Sequence, residues 1–291
     1  MTRVGPAQLT MVSPVLLLLG LLIFVPALWV FWLSFQESSF GQTARFVGFA
    51  NYARLLEDAA FWRSLVNTLI LVNVVVYAEL ALGLAMALLF ASGIPFRRVM
   101  ISIVLAPYAI SEVSAVVMWR TMMDPEVGIV SRGLARAGIP TIEGANVPGA
   151  GLSRVTSLWV WRHLPITFVI LYAARLAVPN DLYEAAHLDG ATGLQRFWYI
   201  TIPVMLPAIL VAVLFRYIFA FRIFSEVWLM TGGGPARQTE VMAVYLYLEA
   251  FRYNEFGVAA ATGWLMVLAS FVFAAYYLNQ LYKRMFAAPS S

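Results

Sequence analysis

Apolar positions along the chain gather into six long blocks, at about 11–35, 64–90, 99–121, 156–178, 206–230 and 257–282, separated by stretches in which Gly, Pro and charged residues concentrate. A helix rises about 1.5 Å per residue and satisfies its own backbone hydrogen bonds, so each block predicts one crossing of a hydrocarbon layer roughly 30 Å thick. Three blocks carry several ionisable residues: Glu112 and Arg120 in the third, Arg162, His163 and Arg175 in the fourth, and Arg216, Arg222 and Glu226 in the fifth. Such groups are costly at bilayer depth, so these helices are expected to line a bundle interior or a wet cavity. The run from Met11 to Phe35 exceeds the roughly 7–15 apolar residues of a signal peptide and is read as an uncleaved first span.

Composition narrows the class. Of 291 residues, 62% are hydrophobic and 12% charged, and the mean hydropathy is +0.82. A soluble domain has about twice that share of charge, so the chain reads as an all-α integral membrane protein with little room for anything else. The net charge of +4 comes from arginines scattered between apolar blocks, with no basic run, and no nucleic-acid partner is expected. There is no cysteine, which excludes disulfides, thiol catalysis and Cys-bound metals. The only lysine is Lys283, between Tyr282 and Arg284, so the chain has no Gly-Lys-Ser/Thr phosphate loop and Gly232-Gly233-Gly234 reads as a turn. His163 and His187 have no metal-ligand spacing, and no bound metal or cofactor is expected.

Arg97-Arg98 in the second connection and Lys283-Arg284 after the last block mark the cytoplasmic side by the positive-inside rule. Six spans then place both termini, 1–10 and 285–291, in the cytoplasm, with 11–284 as the membrane domain. The loops at 36–63, 122–155 and 231–256 face outward, and the second of these, rich in Gly and Pro, is expected to be irregular with short helices.

The segment 179–205 between the fourth and fifth blocks encodes two short helices. Asp181 is placed to cap a helix with Glu184 at its third position, and Gly190 to end it in the left-handed conformation. Thr192 with Gln195 three residues on repeats the start signal, and Pro203 is expected to stop the second piece before the fifth span. A short Ala-surfaced helix in a loop suits a groove on another protein.

Glu184-Ala185-Ala186, Asp189-Gly190-Ala191 and Ile200-x-Ile202-Pro203 resemble the EAA loop of binding-protein-dependent ABC-importer permeases. Phe46-Val47-Gly48-Phe49-Ala50-Asn51-Tyr52 and Thr231-Gly232-Gly233-Gly234-Pro235, with Tyr245, Ala250-Phe251 and Gly257 to Ala261, are similar to stretches of the maltose-type (MalF-like) carbohydrate permeases. The resemblance covers about residues 11–284. It implies a six-span helical bundle of the type I importer kind in a bacterial or archaeal inner membrane. In that arrangement Glu184, Ala185, Ala186, Asp189, Gly190, Ala191 and Pro203 belong to a cytoplasmic coupling loop. It further implies a second permease as heterodimer partner, two copies of a P-loop ATPase that hold the ATP and Mg, an extracytoplasmic solute-binding protein, and a sugar as cargo.

Sugars are held by aromatic faces and by polar groups that replace water at the hydroxyls. Trp159, Arg162, His163 and Ile166 share one face of the fourth block, and Arg216, Phe219, Ala220 and Ile223 one face of the fifth. These positions are expected to form the solute path, and counted from the Glu184 motif they resemble the sugar-lining positions of the maltose-type permease. The same residues also read as bundle core, with the arginines bonded to carbonyls or acids. The arginines leave an anionic solute such as a glycerol phosphate as an alternative cargo. A stand-alone secondary transporter is the alternative of another class: it would use Glu79, Glu112 and Glu226 as a relay, but the chain has no internal repeat, and Glu226 reads as the partner of Arg222 one turn earlier.

Overall fold

The computed structural model of the chain describes residues 6–124, 126–138 and 150–286. Parts of the expected terminal segments (1–5 and 287–291) and of the expected outer loop (125 and 139–149) lie outside the described residues. Two units can be distinguished: one holds the chain up to Phe61 with Tyr245–Val267, the other Trp62–Val244 and the chain from Leu268 onward.

In the first unit, α1 (Pro6–Leu33) is apolar on every side, and none of its membrane-length stretch, Thr10–Leu33, is buried. A helix of that kind turns its surface to lipid or to another apolar helix. It runs into a two-stranded antiparallel hairpin, β1 (Gln36–Glu37) and β2 (Arg45–Phe46), and then α2 (Ala50–Glu57). Asn51 closes this corner: its Nδ2 donates to the carbonyls of Ser34 at 2.8 Å and Gln36 at 2.9 Å, while the Tyr52 and Ser34 hydroxyls meet at 2.8 Å. Gly48 turns the chain at φ +60°, where a side chain would be strained. Ser34, Asn51, Tyr52 and Gly48 therefore give the Phe46–Tyr52 motif a structural cause.

The second unit holds most of α3 (Ala59–Ala91), whose buried residues Leu71, Val72, Val75, Val76 and Glu79 recur at helical spacing. It continues through α4 (Arg97–Ala109), α5 (Glu112–Met122), α6 (Ile129–Arg136) and α7 (Ala150–Leu176). At Gly83 an added Cβ would lie 3.1 Å from Thr167 Cγ2 and 3.3 Å from the Phe168 amide, so the missing side chain lets α3 and α7 approach closely. Phe90 on α3 meets Phe168 edge-on at 5.1 Å.

Among the described residues, four helical segments are long and apolar enough to cross a membrane: Thr10–Leu33, Ala59–Ala91, Gly193–Ala220 and Phe256–Gln280. The third block departs from expectation, because it is not one straight helix. α4 and α5 are bent by 100° at a break, and they count as a fifth crossing only if taken together. Pro107 cannot donate to the α4 ladder, and Ile110 and Ser111 adopt extended conformations at the break. The fourth block forms α7, at 27 residues long enough to span, with Arg162 and His163 interrupting its apolar run.

Three further expectations are corrected between 179 and 231. The short helix α8 (Asn180–Leu188) is preceded by Pro179 as its cap residue, with Asp181 in the first turn and no side-chain cap bond. Pro179 supplies the extended entry that a capping residue requires, and Asp181 still favours the positive end of the helix dipole. Nor does Pro203 stop the next helix. α9 (Gly193–Arg196), a π-helical turn (Phe197–Thr201) and α10 (Ile202–Ala220) run on as one 28-residue helix. The Ile202 amide reaches back to Phe197, and this widened turn accommodates a proline that has no N–H to give. Finally, the fifth block does not run unbroken to 230: α10 ends at Ala220, and α11 (Ser225–Thr231) starts after a bend. The chain closes with α12 (Met242–Tyr247), a second π-helical turn (Leu248–Arg252) and α13 (Phe256–Phe286).

Candidate solute path and coupling loop

A cavity of about 320 Å³ opens among α4, α7 and α10, lined by Tyr108, Trp159, His163, Ile166, Ile170, Phe215, Arg216 and Phe219. Five of these residues were expected from sequence: Trp159, His163, Ile166, Arg216 and Phe219. Trp159 is buried, Phe219 is half exposed, and the Trp159 and His163 rings lie 4.0 Å apart. Aromatic faces thus dominate the wall, with few polar atoms among them.

The guanidinium and the imidazole of this wall are already engaged, while the Trp159 indole N–H is buried without a hydrogen-bond partner. Arg216, buried in α10, donates through Nη2 to Glu79 Oε1 at 2.9 Å and through Nε to Oε2 of the same carboxylate. Glu79 is fully buried in α3 and also accepts from Thr167 Oγ1 at 3.2 Å. The Arg216 guanidinium lies over the Trp159 ring, 5.9 Å from its centre. His163 Nδ1 lies 3.1 Å from the Trp159 carbonyl, and its Nε2 lies 3.0 Å from Arg162 Nη1. A carbonyl only accepts and a guanidinium only donates, so Nδ1 carries the proton and Nε2 accepts.

Arg162, Ala220 and Ile223 do not line the cavity. The Arg162 guanidinium turns toward His163 and to within 4.0 Å of Glu226. Glu226 therefore faces Arg162 and neighbouring Glu112, not Arg222 as its spacing suggested, because the bend after Ala220 ends the helical register that would have joined them. Ala220 is fully buried, and Ile223 lies beyond the end of α10, so neither shares the exposed face of Phe219. Reading missed three lining residues. Ile170 and Phe215 extend the series of Ile166 and Phe219 by one turn, so four-residue spacing could have found them; Tyr108, next to the α4–α5 break, carries no such signal.

Most of the segment 179–205 is exposed, although Thr201 and Met205 are buried. α8 ends in a paired closing motif: the Gly190 amide donates to His187 O at 3.0 Å and the Ala191 amide to Ala186 O at 2.9 Å, with Gly190 at φ +75°. Thr192 and Gln195 form a reciprocal capping box at the next start. Glu184, Ala185, Asp189 and Pro203 are exposed, and Ala186 and Ala191 are half-buried. Arg175 stacks at 4.4 Å on the ring of Tyr183, and the Tyr183 hydroxyl meets Thr201 at 2.8 Å, tying α8 to the foot of α7 and to the helix that follows. Among the described residues, no group of three or more His, Asp or Glu is placed to hold a metal ion.

No profile of a known protein family matches the chain. Individual relatives do. The chain is 33% identical over 281 residues to the inner membrane ABC transporter permease protein YcjO of Escherichia coli K12, covering 94% of this chain and 93% of that one. It belongs to the ABC transporter permeases. The permease is also 31% identical over 270 residues to the trehalose/maltose transport system permease protein MalF of Thermococcus litoralis, covering 92% of this chain and 91% of the relative. Its fold matches a chain of a bacterial alginate ABC transporter, solved in complex with a periplasmic protein bound to an alginate pentasaccharide. The TM-score is 0.81 at 21% identity, covering 95% of the permease and 93% of that chain. The fold is that of a type I importer permease, and the protein is a multi-pass membrane protein.

Proposed function

We propose that this permease forms, with a second permease, the membrane path of an importer for a neutral sugar, an oligosaccharide or disaccharide delivered by an extracytoplasmic binding protein. ATP is hydrolysed on two copies of a separate P-loop ATPase, which dock on α8 through Glu184 and its neighbours, and both termini lie in the cytoplasm. Six crossings are counted, with α4–α5 taken as one and α7 as another. The trehalose/maltose relative supports the sugar assignment.

The observation that carries the reading is the wall of the 320 Å³ cavity, which is lined by the rings of Trp159, His163 and Phe219 while the one lining guanidinium, Arg216, is neutralised by Glu79. Ring faces suit the C–H surfaces of a sugar. A phosphate would need a free cation, and Arg162 likewise turns toward Glu226 and away from the cavity. This disfavours the glycerol phosphate alternative. The test is reconstitution of the complete transporter in vesicles with its binding protein, followed by ATP-dependent uptake across mono-, di- and trisaccharides and glycerol phosphate. Uptake of one or more neutral sugars is expected. Uptake of glycerol phosphate alone would overturn the assignment.

A further inference from the structure

A second cavity, of about 240 Å³, lies at the opposite end of α7, where the last turn of α3, the foot of α7 and the start of the 193–220 helix converge beside α8. Arg175 and Arg196 both line it, together with Ser92, Tyr183, Gly193 and Thr201. No acidic residue lines it, and among the described residues neither guanidinium is ion-paired. Both are half-buried. Two unneutralised charges sharing a partly dehydrated pocket repel one another, and an anion between them relieves that cost.

The Arg175 guanidinium lies over the Tyr183 ring, 4.4 Å from its centre, a contact that leaves N–H donors at its edge for an anion. Two forked donors of this kind match the oxygens of a phosphate group. Trp198 and Tyr199, two and three residues after Arg196, are exposed, as aromatic residues are at the headgroup level of a bilayer. Ser92 is followed within six residues by the exposed pair Arg97-Arg98. Basic pockets between helices at such an end hold anionic headgroups.

We propose that this pocket binds a phosphate-bearing anion, gripped by Arg175 and Arg196 and seated against Tyr183 of α8. The bound group bridges the foot of α7 to the coupling loop. The phosphate is carried by an anionic lipid headgroup or by a soluble phosphate, and the two sources are separable.

The assembled transporter, with its partner subunits, is placed in nanodiscs of phosphatidylcholine alone or mixed with phosphatidylglycerol. Lipid retained after transfer to detergent is measured by native mass spectrometry, and binding of inorganic phosphate by calorimetry in the phosphatidylcholine discs. Two variants keep the fold: R196Q removes one donor, and S92D places a competing carboxylate at an exposed position of the pocket. Each should lower retention of phosphatidylglycerol about tenfold, the order expected for one charge-assisted hydrogen bond, while R98Q outside the pocket should not. If phosphatidylglycerol is not retained but phosphate binds to the wild type and not to R196Q or S92D, the source is soluble and the site stands. Equal retention and equal phosphate binding in wild type, R196Q and S92D would overturn it. So would an equal loss in R98Q, which would reflect diffuse surface charge. Loss of ATPase co-purification in R196Q with lipid retention and phosphate binding unchanged would also overturn it, assigning Arg196 to a carboxylate of the partner.

Discussion

Arg216 on α10 grips both carboxylate oxygens of Glu79 on α3, and both side chains are buried. The two residues are 137 positions apart in sequence, and together they close the polar side of the cavity beneath Trp159. Thr167 on α7 adds a third helix to the same carboxylate. A buried pair of this kind sets how three helices meet, and it neutralises the guanidinium that lines the cavity.

Breaking the pair from one side should therefore be worse than removing it. Glu79→Gln or Arg216→Gln strands a charge in a dry site, at a cost of about 3–5 kcal/mol. The double replacement Glu79→Leu/Arg216→Met should recover much of that loss. Thermal unfolding of the purified transporter in nanodiscs checks the order, and single variants as stable as the double would contradict it.

The same pair shows where sequence reading stops. Long apolar helices at the first, second and last blocks, the two short helices of 180–196 and five of the eight cavity residues follow from apolar runs, capping chemistry and three- to four-residue spacing. All of these are local. The partnership of Glu79 with Arg216 depends on how distant helices are juxtaposed, which spacing does not encode. The bend after Ala220 was hidden for another reason: Phe221 to Phe224 carry neither Gly nor Pro, so an apolar run concealed a change of direction. At Pro203 the opposite happened, because a breaker was absorbed by a π-helical turn.

Gly257, at the start of α13, is predicted to tolerate no side chain. An added Cβ would fall 1.9 Å from the Gln36 carbonyl oxygen and 2.8 Å from Asn51 Nδ2, and the obstacle at Gln36 is backbone. Gly257→Ala must displace the corner that Asn51 holds, at about 1–3 kcal/mol. Asn51→Ala should cost a comparable amount by leaving the Ser34 and Gln36 carbonyls without their donor. If the effects of G257A and N51A simply add in thermal unfolding, the two residues do not share one corner.

Gly190→Val should act differently, because nothing lies within 4 Å of a Cβ there and only the backbone objects. At φ +75° a side chain costs about 1–2 kcal/mol, and α8 can escape it by opening its last turn. The expected phenotype is a transporter that assembles in the membrane but whose ATPase is no longer stimulated by the loaded binding protein. Gly190→Asn, which tolerates the left-handed region better, should retain more stimulation. Normal stimulation in a purified G190V complex would detach this turn from coupling.

The cavity variants separate surface from scaffold. Phe219 is half exposed on the cavity wall, so Phe219→Ala should remove a stacking face worth about 0.5–1.5 kcal/mol, reducing apparent affinity for the solute by about 2–13-fold with little loss of stability. Trp159 is buried, packs on His163 and lies over Arg216, so Trp159→Ala should cost both transport and about 3–5 kcal/mol of stability. His163→Ala releases Arg162 from its neighbouring ring while leaving the Glu79–Arg216 pair intact, and is expected to affect transport more than folding. Uptake measured across substrate concentrations, beside thermal unfolding of each variant, distinguishes the three patterns. Wild-type uptake by both F219A and H163A would place the solute path elsewhere, on the partner permease.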